Sequence, residues 1–192
     1  MSICKNRLVC FADYSTIIQL EDFFNNELKD IKNLTDFCIE FFNYDTSEIN
    51  PLERNSQFGT SWIDIISTEI TEANELVVHF DSSWSPPKLF VDELTEYFWC
   101  SAKLEYSEPV SNVGGIYETC QGTVSSNYEM SYYEYYYKFK GDSSVLDYLL
   151  EYCVDEEELN ILLDNFKFDV FEDDKESLRK RLKALKNKVD DN

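Results

Sequence analysis

The chain has 192 residues, of which 38 are acidic and 17 basic, for a formal net charge of −21. That charge excludes recognition of nucleic acid through a basic surface and opposes contact with anionic lipid. The 14 Phe, 13 Tyr and 3 Trp exclude the aromatic-poor composition of an acidic disordered chain, so a core can form.

No charged, apolar and small-residue sequence of a secretory signal opens the chain, and no run of about 18 apolar residues spans a bilayer. Six cysteines (Cys4, Cys10, Cys38, Cys100, Cys120 and Cys153) are scattered without a CxxC pair, which predicts reduced thiols in a cytoplasmic protein. One histidine and no ligand spacing predict neither a metal site nor a cofactor.

The opening stretch from Cys4 to Phe11 reads as a strand. Asp13 or Ser15 then caps a helix over 16–31, whose Ile17, Leu20, Phe24, Leu28 and Ile31 recur at three- and four-residue steps. Phe37 to Phe42 is apolar enough for a strand or a helical turn, and 43–59 reads as a loop. Trp62–Ser67 and Leu76–Phe80 read as a hairpin, and Ser85-Pro86-Pro87 introduces a helix whose apolar face runs from Leu89 to Phe98. Trp99–Tyr106 alternates as the next strand. Extended segments follow near Ile116–Thr123 and Tyr128–Lys140, then helices over Ser143–Cys153, Glu156–Phe166 and Lys175–Val189.

The order βαββαβ predicts an α+β fold, a ferredoxin-like split βαβ sandwich with extra strands and a C-terminal helical extension. The expected domains are 1–141 and, packed on it, 142–192.

Two motifs carry a family resemblance. Phe58-Gly59-Thr60-Ser61-Trp62-Ile63-Asp64, followed by Phe80-Asp81-Ser82-Ser83-Trp84-Ser85-Pro86-Pro87, resembles the YubB-type ferredoxin-like domain of plasmid- and phage-borne proteins, which often reads NWGTKWD and then FxTAWSPP. Asn6-Arg7-Leu8, Tyr106, Glu108, Gly114 and Gly115 also sit where that family tends to have such residues. Phe58, Ser61 and Ser82-Ser83 depart from its Trp, Lys and Thr-Ala. The resemblance covers about 1–125 and implies the fold and a mobile-element setting, without an activity.

Two readings of the motif residues stand side by side. Trp62 and Trp84 either form an aromatic binding pocket lined by Asp64, Ser83 and Ser85, or they plug the core while Ser85 caps the following helix. His79 must serve any histidine-dependent nucleophile scheme, yet no nucleophile motif accompanies it, and no catalytic residue is assigned. In a strand, Tyr133, Tyr135 and Tyr137 share one face, which suits a protein contact or a covered sheet face. Asp155, Glu156, Glu157 and Glu158, with Asp173 and Asp174, belong to a dense anionic band facing a basic partner, while 172–192 holds seven basic and six acidic residues.

The function expected is that of a non-enzymatic acidic binding protein of a phage or plasmid. It would bind a basic host protein, as a counter-defence inhibitor or a mimic of nucleic-acid charge. The alternative is a small-molecule binder or small enzyme with a pocket near Trp62, Trp84 and His79. Direct nucleic-acid or membrane binding is not expected.

Overall fold

Strand β1 (Ile3–Phe11) lies between two antiparallel partners and turns Cys4, Leu8 and Cys10 to one buried face. Around it the structure, a computed structural model, describes residues 2–29, 31, 33–44, 47, 58–147, 149–152, 155–164 and 170–190. Most of the predicted 43–59 loop and Cys153 lie outside the described residues. The chain divides into units 1–132 and 133–192.

In the first unit, helix α1 (Tyr14–Asp22) starts at Asp13, whose carboxylate accepts from the Thr16 amide at 3.1 Å. Hydrogen bonds from Ser15 and Thr16 hold the Asp13 carboxyl down at about 2. The helix widens into a π-helical turn (Phe23–Glu27), with the Leu28 amide donating to the Phe23 carbonyl at 3.1 Å. The extra residue in that turn lets Phe23, Phe24 and Leu28 all face the core. The apolar segment at 37–42 belongs to helix α2 (Leu34–Phe41), capped by Asn33.

Strands β2 (Ile63–Ile70) and β3 (Glu75–Ser83) form the expected hairpin, and α3 (Lys88–Tyr97) leads into β4 (Ser101–Glu108). Strands β5 (Val113–Cys120) and β6 (Thr123–Met130) extend the sheet to the order β2-β3-β1-β4-β5-β6, antiparallel throughout. Order β2-β3-β1-β4 is the split βαβ arrangement, so the ferredoxin-like α+β expectation holds, with β5 and β6 as the extra strands.

One sheet face packs under the helices around Leu8, Val78, Phe80, Leu104 and Tyr106, met by Ile17, Leu20, Phe24, Cys38, Phe90 and Leu94. Alternation sends Lys5, Arg7, His79 and Lys103 to the other face. Asn6 is the polar residue on the helix-covered side of β1. It is satisfied there by donating to the Cys4 carbonyl at 2.9 Å and to Ser82 Oγ at 2.8 Å.

The second unit holds α4 (Tyr132–Phe139, from the last residue of the first unit), a 3-10 turn (Ser143–Leu146), α5 (Leu149–Tyr152), α6 (Glu156–Asp164) and α7 (Glu172–Asp190). Tyr137, Leu146, Leu149, Leu159, Leu163, Val170, Leu178 and Leu182 make its core.

This arrangement overturns the strand expected over 128–140: β6 stops at Met130 and the tyrosines after it are helical. Their sequence satisfies both periods. Tyr133 and Tyr137 are four apart and meet the same core, while Lys138 reaches Glu134 at 2.9 Å across one helical turn.

Gly115 lets Tyr106 cross β5. A β-carbon there would collide with the Tyr106 hydroxyl and with the Tyr128 carbonyl on β6. Gly115→Ala is therefore expected to destabilise the protein by about 2 kcal/mol in urea unfolding. Adding Tyr106→Phe should not restore stability, because the backbone collision remains.

Candidate functional site

The two sequence motifs meet where β2 begins and β3 ends. Thr60 Oγ1 accepts from the Ser83 amide at 2.8 Å and lies 2.8 Å from Ser83 Oγ, which is 2.9 Å from Ser61 Oγ. Ser82 Oγ donates to the Ser85 carbonyl at 2.9 Å, and Ser85 Oγ donates to the Gly59 carbonyl. Gly59, at φ +86°, lies so close to the Pro86 carbonyl that a β-carbon would not fit. Thr60, Ser82 and Ser83 are buried; the Thr60 and Ser83 hydroxyls bond each other, and that of Ser82 accepts from the Asn6 amide and donates to the Ser85 carbonyl. The motif is a clasp joining β2, β3 and the entry to α3.

That geometry corrects one of the two sequence readings. Ser85 does not cap α3: Pro87 occupies the cap position with no side-chain hydrogen bond, because the Ser85 hydroxyl is turned to Gly59. Nor do the indoles plug the core. Trp84 takes a left-handed backbone (φ 66°) and is 59% exposed, and Trp62 is partly exposed.

The binding residues inferred from the sequence fall into separate places. His79 is exposed on the open sheet face, in register with Arg7 and Ser67. It lies four residues before Ser83, the end of β3, about 13 Å at strand spacing, with Trp84 beyond that end, so the two do not converge on one pocket. Asp64 is exposed and sits directly opposite Asp81. Among the described residues no group of three or more His, Cys, Asp or Glu is placed to hold a metal ion. Cys4, Cys10, Cys38 and Cys100 are free and buried, and burial pushes the Cys4 and Cys100 thiols up to about 12.

The inferred interaction residues of the second unit serve largely within it. Tyr135 and Tyr137 are buried, which withdraws them from any tyrosine-lined surface, and Tyr133 is half-buried against the core. The Tyr137 hydroxyl donates to Asp174 at 2.6 Å and accepts from the Phe171 amide at 2.7 Å. Asp155 accepts from the Glu158 amide at the start of α6. Glu156, Glu157 and Glu158 form the first turn of α6, as Asp173 and Asp174 do of α7, where carboxylates favour the helix dipole. Arg179 lies 3.7 Å from Glu156 and 3.1 Å from Glu172, and Arg181 pairs with Asp147. Two members of the anionic band, Glu156 and Glu172, thus meet Arg179 on the basic stripe of α7.

The helix layer of the first unit is different. Helices α1, α2 and α3 and the π turn carry Glu21, Asp22, Glu27, Asp36, Glu40, Asp92, Glu93 and Glu96 against a single basic residue, Lys88. Lys88 is held by Glu129 at 3.2 Å and lies over the Tyr106 ring at 4.9 Å. Burial raises the Glu93 carboxyl, and the like charges of Glu96 and Asp92 raise it further. Asp92 is also raised by burial, against hydrogen bonds that include one from Tyr117 at 2.7 Å. The sequence reading missed this surface because its acids are dispersed over three helices, whereas those near the C-terminus run consecutively.

A second feature missed from the sequence is a groove of about 270 Å³ between the π turn and β2, walled by Phe24, Asn25, Leu28 and Lys29 on one side and by Ile63 to Ser67 on the other. The β2 register with β3 shifts between Ile65 and Ser67, a bulge facing the groove.

Residues 57–148 match the family model of the ferredoxin-like domain in Api92-like protein. The matched stretch runs from the clasp through β6 into the second unit, and leaves out β1 and α1. A crystal structure of the protein api92 from Yersinia pseudotuberculosis resembles this chain at TM-score 0.44 and 11% identity, covering 68% of this chain and 98% of that one. No curated protein sequence matches the chain. No helix among the described residues is long and apolar enough to cross a membrane.

Thr60→Val keeps the shape of the clasp but leaves the buried Ser83 amide without its side-chain acceptor, so a loss of about 1–3 kcal/mol is expected in urea unfolding. Glu93 works the other way. Its raised carboxyl favours the fold below the unfolded value of about 4.5, and that contribution is lost as pH rises through the folded value. Glu93→Gln should therefore raise the melting temperature at pH 7 and give little or no gain near pH 4.

Proposed function

We propose that this chain is a non-enzymatic binding protein whose acidic helix layer engages a basic protein partner. The observation that carries this reading is the set of eight carboxylates on α1, α2, α3 and the π turn, against one lysine that is already paired. Mutual repulsion among Asp92, Glu93 and Glu96 costs the free protein stability, and a bound cation relieves it. The same carboxylates repel phosphate backbones, so the partner is a protein. A partner that normally binds nucleic acid would meet carboxylates where it expects phosphates, which makes an inhibitor by charge mimicry the specific form we favour.

The setting we propose is a phage or plasmid, with the protein acting in the cytoplasm as a counter-defence factor. Its support is the resemblance of Phe58–Asp64 and Phe80–Pro87 to YubB-type domains, a finer kinship than the Api92-like domain match. Buried free thiols at Cys4, Cys10, Cys38 and Cys100 suit a reducing compartment.

The test is capture from a bacterial lysate on the immobilised full chain, at about 50 mM and about 500 mM salt. A basic protein should be retained at the lower salt, released at the higher, and lost with the Glu93→Lys/Glu96→Lys double variant. Salt-insensitive capture, or tight binding of the purified chain to single-stranded RNA at the lower salt, would overturn the proposal.

A further inference from the structure

Strand β2 is an end strand of the sheet, and among the described residues nothing pairs with its outer side. The groove beside it is lined by five consecutive residues, Ile63 to Ser67. Successive residues of a strand point to opposite faces, so a groove touching all five runs along the strand's edge. Its other wall is Phe24 and Asn25 of the π-helical segment, with Leu28 and Lys29 just after it. An open edge beside a wall that mixes apolar side chains (Phe24, Leu28) with polar ones (Asn25, Lys29) is a geometry that accepts an added strand.

The charges beside that edge say what the added strand should carry. Asp64 stands opposite Asp81, and Asp81 stands opposite Lys5 on β1. Like charges facing each other across strands are unfavourable. Lys5 stands opposite Asp81 on one side, whereas the strand position beyond Asp64 on the other side is open, with Lys29 the cation that lines the groove. One oxygen of Asp81, Oδ1, is buried without a hydrogen-bond partner. A cation placed opposite Asp64 would leave the two carboxylates flanked by a positive charge on each side. Beyond Ile65 the bulge breaks the register and turns out Ile66, which is 60% exposed. The pairing is therefore short, and Ile66 offers an apolar contact at its end.

We propose that the β2 edge takes an extended peptide of its partner as a short seventh strand, with a lysine or arginine opposite Asp64 and an apolar residue against Phe24, Leu28 and Ile66. This assignment rests on the reading of the protein as a binder of basic partners, and names the place and mode of contact.

The probe is a fluorescein-labelled hexapeptide, Val-Lys-Val-Lys-Val-Lys, titrated with the full chain at about 50 mM salt, where charge attraction is strong. A twin methylated at every backbone nitrogen keeps the charges and loses the donors of a strand. Saturable binding of the plain peptide is expected, with loss of binding for the methylated twin and slowed amide exchange at Ile63–Ile65. Asp64→Lys, at an exposed position, should weaken the plain peptide by about tenfold, the scale of an attractive cross-strand pair made repulsive. Circular dichroism checks that this variant folds. Equal binding of the methylated twin, an unchanged affinity for Asp64→Lys, or no binding of the plain peptide overturns strand addition. Lysate capture that is still abolished by Glu93→Lys/Glu96→Lys would then leave the proposed function standing, with the helix layer as the contact.

Discussion

A sheet with one face packed under α1, α2 and α3 is the constraint from which the rest of the first unit follows. Strand β1 hydrogen-bonds to β3 and β4, so its alternation decides which residues must be apolar. Cys4, Leu8 and Cys10 take the helix side, and Asn6 is tolerated among them because Ser82 and the Cys4 carbonyl satisfy its amide. The opposite face keeps Lys5, Arg7 and Lys103, with Glu105 3.5 Å from Arg7 and 3.4 Å from Lys103. Its charges are mixed. The unbalanced carboxylates are carried above all by the helices.

Those helices tolerate the load because of what lies beneath. The Phe23 ring sits within 4.9–6.2 Å of Phe24, Phe37, Phe41, Phe42 and Phe98, tying the π turn, α2 and the end of α3 together. Aromatic burial of this kind is non-directional and hardly screened by salt, whereas repulsion between exposed carboxylates is weak in water and falls with salt. The repulsion is therefore affordable as a standing cost. Under the proposed reading, a cationic partner removes it.

How much of this was legible depended on whether one physical signal or two competed at each element. The stretch from Cys4 to Phe11 could be read as a strand, and Asp13 before an apolar stripe as a cap. The tyrosine run could not be resolved by hydrophobic period, since tyrosines at nearly every position satisfy strand and helix alike. The useful clue was Glu134 and Lys138, four apart with opposite charge. Ser85 misled for a different reason. Serine before proline suits a cap by composition, but the hydroxyl had a competing acceptor in the Gly59 carbonyl, 26 residues away in sequence and visible only once the chain is folded. Trp84 faces outward because its left-handed backbone turns the chain from β3 towards α3, and no periodicity announces such a residue.

The clasp and the groove are linked through β2. Thr60, Ser61 and Ser83 fix where β2 enters the sheet, and with it the register that sets Asp64 against Asp81. Two residues on, the bulge ends that register and frees Ile66. A rigid, hydrogen-bonded anchor at one end and a break at the other leave a short, well-positioned length of edge between them. Edge strands that only need protection from aggregation are commonly blunted by an inward or central charge, or by proline. Here the exposed charge, Asp64, is one that an incoming cation neutralises, so the same residue that disfavours pairing with another acidic copy of this chain favours pairing with a basic one.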